Sequence, residues 1–250
     1  MRIGSVRRGA SGGSRGNPSH RIAMMDVFED RCHAGRALAH AVREQLEWAG
    51  AIVLGLPRGG VPVAFEVAQA LHLPLDVFVV RKLGVPGEEE LAMGAVASGG
   101  LVVTQADVVR AYRIVQETID AAAERERGEI ARREALYRDG RPPVQVEGRT
   151  VILVDDGLAT GSTMRAAARA LRPVAQRVFV AVPVAARVTC DELRREVDAL
   201  VCLETPDPFH AVGEFYRNFD QTSDEEVRGL LAVAYHETAA PTTNPPVPGT

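Results

Sequence analysis

VILVDDGLATGST, running from Val151 to Thr163, is the stretch from which the rest of the chain can be read. Val151, Ile152, Leu153 and Val154 form an unbroken apolar run enriched in β-branched residues, with no polar alternation. Such a run predicts a short central strand of a parallel sheet, covered on both faces. Two acids, Asp155 and Asp156, follow where the strand emerges. Gly157, Ala159 and Gly161 are small enough for a ligand to approach the backbone. From Met164 to Leu171 the sequence MRAAARAL is rich in helix formers. Thr160, Ser162 and Thr163 fall at its start, where hydroxyls cap the helix and backbone N–H groups face outward. Such a terminus favours an anion by about 0.3 to 2 kcal/mol from the helix dipole alone. Carboxylates beside a phosphate cradle suit a ligand that carries an anion together with sugar hydroxyls or a hydrated metal ion. A sugar phosphate meets both conditions. The spacing is not that of a Walker A loop, because Ser162 rather than Lys follows Gly161.

Strand, glycine turn and helix recur upstream. Ala51 to Leu56 (AIVLGL) predicts a buried strand, Pro57-Arg58-Gly59-Gly60 a turn, and Val61 to Leu71 a helix with Pro62 in its first turn. Gly59 and Gly60 allow backbone N–H groups to face an anion, and Arg58 adds charge. A further strand is expected from Leu75 to Val80, left by Arg81-Lys82-Leu83-Gly84. Lys82 is the single Lys among 29 Lys plus Arg, and it falls at the strand edge where open α/β sheets bind ligands. Val85 to Glu90 (VPGEEE) then reads as a mobile acidic loop, with Glu90 a lesser candidate for positioning a base or metal.

Periodicity predicts a helix from Ala34 to Trp48, with His33 and His40 as structural rather than ligating histidines, and a hairpin over Leu91 to Thr104. From Ala106 to Arg138 the pattern is that of one long helix, either bent back or packed on a second copy of the chain. Its charged run Glu124 to Arg138 reads as a solvated face laced with ion pairs. Strands are expected at Arg177 to Val184 and Ala199 to Leu203, with a helix over Cys190 to Val197 capped by Thr189. Alternating strands and helices imply a mostly parallel sheet flanked by helices.

At 250 residues and 46% hydrophobic, the chain can bury a full α/β core. No run of 18 apolar residues predicts a membrane span. Cys32, Cys190 and Cys202 lack CxxC spacing, which argues against a zinc site or disulfide frame and for a reducing, cytoplasmic setting. Residues 1–23 form a basic, Gly/Ser-rich segment expected to be disordered, ahead of a domain over 24–237. The Pro/Thr-rich 238–250 is expected to be disordered as well. Apart from its basic start the chain is acidic, so no nucleic-acid partner is expected.

The two acids followed by the small-residue ATGST loop resemble the diphosphate-ribose motif of the type I phosphoribosyltransferases, and in overall look the chain is similar to short family members of unassigned substrate. The resemblance implies the Rossmann-like fold of that family, with a hood over the base and the long helix as an elaboration. It also implies phosphoribosyl pyrophosphate (PRPP) and Mg²⁺ as ligands, a nucleobase-like acceptor and, from the long helix, a possible homodimer. Asp155 and Asp156 would hold ribose hydroxyls and metal-bound water. Ala159, Thr160, Gly161, Ser162 and Thr163 would hold the 5′-phosphate, while Arg58, Gly59, Gly60 and Lys82 would stabilise the pyrophosphate. Family members often hold a non-proline cis peptide between positions matching Pro57 and Gly60. Residues Glu204 to Phe219 match the hood, which makes Phe209, Phe215 and Tyr216 candidates for stacking on the base. Ala159 stands where 6-oxopurine enzymes commonly carry Asp, which argues against those purines. The alternative on the same fold is a non-catalytic regulator that binds PRPP or a nucleotide.

Overall fold

A computed structural model describes residues 27–239. The segment 1–23 lies outside the described residues, as does 238–250 apart from Thr238 and Ala239, which complete the last helix. Five strands form the main sheet: β1 (Ile52–Gly55), β2 (Leu75–Val77), β6 (Thr150–Val154), β7 (Arg177–Val184) and β8 (Ala199–Glu204). All pair in parallel, in the order β2-β1-β6-β7-β8. Counted within this sheet the order is 2-1-3-4-5, a doubly wound arrangement that reverses direction between β1 and β6.

β6 is central because its side chains are apolar on both faces. Ile152 and Val154 pack under α1 (Arg31–Gln45), α2 (Gly60–Leu71) and α7 (Asp224–Ala239). Val151 and Leu153 face the opposite layer, built from α5 (Ser162–Leu171) and α6 (Arg187–Leu193). All four are fully buried, as the unbroken apolar run requires.

Between β2 and β6 the chain builds a second, antiparallel sheet, β3-β4-β5 (Val80–Val85, Glu88–Ala97, Val102–Thr104). Here the sequence reading needs correction. The strand expected through Val80 stops at Val77, and β3 starts a new sheet in which Lys82 lies opposite Ala95. VPGEEE is a tight hairpin turn with Gly87 at φ 83° rather than a mobile loop. Pro86-Gly87 is the chemistry of a turn, and Glu88 to Glu90 already belong to β4.

The long helix is also interrupted. α3 (Ala106–Ala111) and α4 (Gln116–Arg138) are separate, and Arg113 sits between them at φ 52°. Ile114 N–H donates to Val109 O and Arg113 N–H to Arg110 O, the paired bonds of a Schellman stop. Glycine usually marks that stop; here the left-handed position is filled by Arg, so the helical pattern continues across it unbroken. α4 buries Ile119, Ala122, Ala123 and Ile130 against the hairpin sheet, so its apolar stripe is consumed within the chain. Its outer face carries the expected pairs, Arg127 with Glu124 at 3.1 Å and Arg133 with Glu129 at 2.7 Å. α6 begins three residues before Cys190, which leaves Thr189 inside the helix instead of capping it.

α7 is a C-terminal helix that the sequence reading left unassigned. Tyr137 of α4 donates its hydroxyl to Asp224 at 2.9 Å at the start of α7. Nearby, the Asp76 carboxylate of β2 is 5% exposed. It accepts from Arg138 Nε at 3.0 and 3.1 Å, from Val144 N–H at 3.0 Å and from Val77 N–H at 2.8 Å. Asp76→Ala removes the acceptor of two amides and leaves Arg138 with Glu134 as its remaining ion-pair partner among the described residues. It is expected to cost about 3 to 5 kcal/mol in urea unfolding, and a change within about 0.5 kcal/mol would show that the network is not needed.

Candidate functional site

The crevice lies at the carboxyl ends of β1 and β6, where the strand order reverses. Leu56 N–H donates to Val154 O at 2.9 Å, which locks the turn after β1 against the end of β6. The Pro57–Arg58 peptide is cis, inside the segment where the resemblance implied one. Gly59 and Gly60 then lie directly against the acids. A Cβ on Gly59 would stand 2.1 Å from Asp156 Oδ2, and one on Gly60 would stand 2.8 Å from both Asp155 Cα and Val154 O. No larger side chain fits this approach. Gly60 N–H, expected to face an anion, is instead committed to Leu56 O at 3.0 Å as the first turn of α2.

The acids are half-buried. Asp155 Oδ1 accepts from Asp156 N–H at 2.9 Å. Asp156 Oδ2 accepts from Arg31 Nε at 2.8 Å, and its carbonyl accepts from the Tyr216 hydroxyl at 2.6 Å. Burial first, and then the charge of Asp156, pushes the Asp155 carboxyl well above the usual carboxylate range. Burial raises Asp156 as well, and Arg31 opposes that rise.

The loop after Asp156 is fastened to β7 and α6. Leu158 N–H donates to Val184 O at 2.9 Å, and Thr189 Oγ1 donates to Ala159 O at 2.6 Å. Gly161 takes φ 64° and packs against the Thr189 methyl, so its left-handed turn starts α5 with no side-chain cap. Thr160, Ser162 and Thr163 are exposed around that start. Met164 N–H and Thr163 N–H have no backbone partner among the described residues. The result is an open helix N-terminus one short loop away from the acid pair.

Lys82 is on the far side of this loop. It lines a cavity of about 520 Å³ between the hairpin sheet and α5, together with Glu90, Thr160, Ser162, Thr163, Arg165 and Arg169. Arg58 turns the other way, its Nη1 3.8 Å from Asp224 Oδ1. The structure therefore brings Gly59 and Gly60 to the acids and Lys82 to the loop over 159–163, and does not converge Arg58 with Lys82. In place of open stacking faces, Phe215 and Tyr216 are buried in a hood cluster with Phe28. Half-buried Phe209 stacks on Phe215 at 5.4 Å, and Phe219 packs on Tyr216 at 4.9 Å.

Arg31 is the site residue that sequence reasoning missed, although a signal was available. Asp30 caps α1 by accepting from His33 N–H at 2.7 Å, so Arg31 occupies the first helical position. A cation there opposes the helix dipole, and a local conflict of that kind marks residues kept for another purpose.

A family model for the phosphoribosyl transferase domain matches residues 28–220, and the chain belongs to that family. A Mycobacterium tuberculosis protein provisionally named as a phosphoribosyl transferase, Rv0571c, is 46% identical over 216 residues, which are 86% of this chain and 48% of that protein. Its counterpart in strain CDC 1551 matches equally. The chain thus spans about half the length of the curated relatives it matches. The crystal structure of TT1426 from Thermus thermophilus superposes with a TM-score of 0.73 at 43% identity, covering 82% of this chain and 97% of that one. No helix among the described residues is long and apolar enough to cross a membrane.

A carboxyl whose folded pKa is raised binds its proton more tightly in the folded than in the unfolded chain. Its contribution to stability is therefore present at acid pH and lost as pH rises through the folded value. At neutral pH, above the range in which the unfolded chain's carboxyl titrates, the raised pKa of Asp155 is therefore a cost to stability. Asp155→Asn keeps the acceptor for Asp156 N–H and removes the charge, so it is expected to raise the thermal midpoint at pH 7. That gain should shrink toward pH ~4, where ordinary carboxyls take up protons. A lower midpoint at pH 7 would contradict the electrostatic account.

Proposed function

We propose that the chain binds PRPP and transfers its phosphoribosyl group to a nitrogen nucleophile, releasing pyrophosphate. One observation carries this reading. The acid pair, the close-packed glycine loop and the uncapped start of α5 all meet at the crevice where a doubly wound sheet binds ligands. Asp155 and Asp156 take the ribose hydroxyls, and residues 159–163 take the 5′-phosphate. Lys82 shares a cavity with that loop, which supports a contact on the phosphate side. Gly59 and Gly60 border the place of the pyrophosphate. Arg58 joins them by exchanging Asp224 for the ligand, a small cost for a partly exposed pair 3.8 Å apart.

The bond from C1′ to the pyrophosphate oxygen breaks and a bond from C1′ to nitrogen forms, with the proton leaving the incoming nitrogen. Positive charge builds on the ribose ring in between. Fixed acids and phosphate grips suit that need, and no covalent nucleophile is required. Mg²⁺ is implied by the family. Among the described residues no group of three or more His, Cys, Asp or Glu forms a metal cage. Two crevice carboxylates fit a cation that keeps its waters and takes substrate oxygens, so Asp155 and Asp156 would hold it through water. When bound, it neutralises charge on the diphosphate.

The acceptor is a nucleobase or related amine. Ala159 leaves no carboxylate at that position to assist a 6-oxopurine, and of the three hood candidates Phe209 is half-buried where Phe215 and Tyr216 are buried. Phosphorus NMR of PRPP with Mg²⁺, the protein and a pool of nucleobases and amines tests the reading. Pyrophosphate appearing with one pool member is the expected result. Intact PRPP with protein-dependent line broadening, across an exhaustive pool, would favour a non-catalytic PRPP-binding regulator instead.

A further inference from the structure

Arg31 is tied to three parts of the crevice at once. Its Nε donates to Asp156 Oδ2 at 2.8 Å and its Nη1 to Asp220 O at 2.7 Å, while the guanidinium carbon lies 3.9 Å from the centre of the Phe219 ring. These contacts fix both the position and the plane of the group. The remaining nitrogen, Nη2, has no hydrogen-bond partner among the described residues. It lies beside the glycine loop, 3.3 Å from where a Cβ on Gly59 would stand. The side chain is only 12% exposed, so this is a built feature and not a surface cation settling on the nearest acid.

The glycine loop offers fewer free donors than its sequence promised. Gly60 N–H is bonded to Leu56 O and Val61 N–H to Arg58 O, so two amides that an anion could have used are committed. Arg58 itself is turned toward Asp224. Arg31 Nη2 adds two charged donors beside the Gly59 amide, in a planar group suited to phosphate oxygens. Arg31 also borders a cavity of about 250 Å³ whose wall includes Asp30, Asp220 and Glu226. Those carboxylates disfavour an anion there, which leaves the Gly59 side as the approach.

We propose that Arg31 binds the anionic leaving group, the diphosphate of PRPP, from above Gly59, an assignment that rests on the PRPP reading given above. The ion pair to Asp156 then has a second role: it links the acid that holds the ribose to the cation that holds the leaving group. Arg31→Lys separates these roles, because an ammonium keeps the charge beside Asp156 and loses the fork that reaches Gly59.

Calorimetric titration of the wild type and Arg31→Lys with PRPP, inorganic pyrophosphate and ribose 5-phosphate, each with Mg²⁺, tests the proposal. The variant is expected to bind PRPP and pyrophosphate at least about tenfold more weakly, as loss of a charge-assisted hydrogen bond predicts. Ribose 5-phosphate should remain within about threefold, a difference too small for loss of a charged contact. Phe219→Leu removes the ring that orients the guanidinium and should give the same selective loss in milder form. Equal weakening of all three ligands, or unchanged binding of PRPP and pyrophosphate, overturns the proposal and leaves the PRPP reading intact. A wild-type chain that binds neither PRPP nor ribose 5-phosphate overturns the PRPP reading and this proposal with it.

Discussion

Two carboxylates set side by side at the end of a buried strand are the constraint on which the site depends. Neither is stable there unaided, since burial disfavours both charged forms and the charge of Asp156 adds to the cost at Asp155. The surrounding structure tempers that cost unevenly. Arg31 pairs directly with Asp156, and Tyr216 ties the Asp156 carbonyl to the hood, while among the described residues Asp155 accepts from the neighbouring amide and feels the Arg31 charge without a direct bond. The asymmetry leaves Asp155 as the group with most to gain from a ligand that brings hydroxyl donors or a hydrated cation. An empty site that is electrostatically costly and relieved by binding is a common arrangement where selection favours function over stability.

The same constraint explains the glycines and the hood. Gly59 and Gly60 are required by proximity to the acids and not by an unusual backbone φ, since neither takes a positive value. The aromatic residues of the hood pack on one another and on Phe28, and one of their ring faces carries Arg31. Hood, first helix and acid pair therefore form one connected unit. The hairpin sheet and α4 form another, which meets the first across the start of α5, in the cavity that Lys82 shares with the loop over 159–163. Any ligand reaching from the acids to the loop touches both units.

The parts legible in the sequence were those governed by local chemistry. β6, its two acids and the ATGST turn could be read because an unbroken apolar run, adjacent charges and small residues each have one main structural meaning. The main sheet followed from the alternation of such runs. What the sequence hid was set by tertiary partners or by atypical residues. Arg113 and His72 both end helices at positions usually held by glycine, so no break was visible at Arg113. Lys82 reads the same at a strand's end as inside a hairpin, and only the pairing with Ala95 distinguishes them. Phe215 and Tyr216 are aromatic whether they stack on a ligand or on each other. Arg31 lies 125 residues from Asp156, and apart from its conflict with the helix dipole nothing nearby in the chain announces their contact.

Equilibrium binding of PRPP in the presence of Mg²⁺, compared between the wild type and the double variant Asp155→Asn/Asp156→Asn, tests the central claim most directly. The account predicts saturable binding by the wild type. In the double variant, two charges are removed with little change in shape, so binding should be lost while the thermal midpoint at pH 7 is kept or raised. Binding of equal strength in both proteins would contradict it, because the acid pair would then be an electrostatic cost that no ligand relieves.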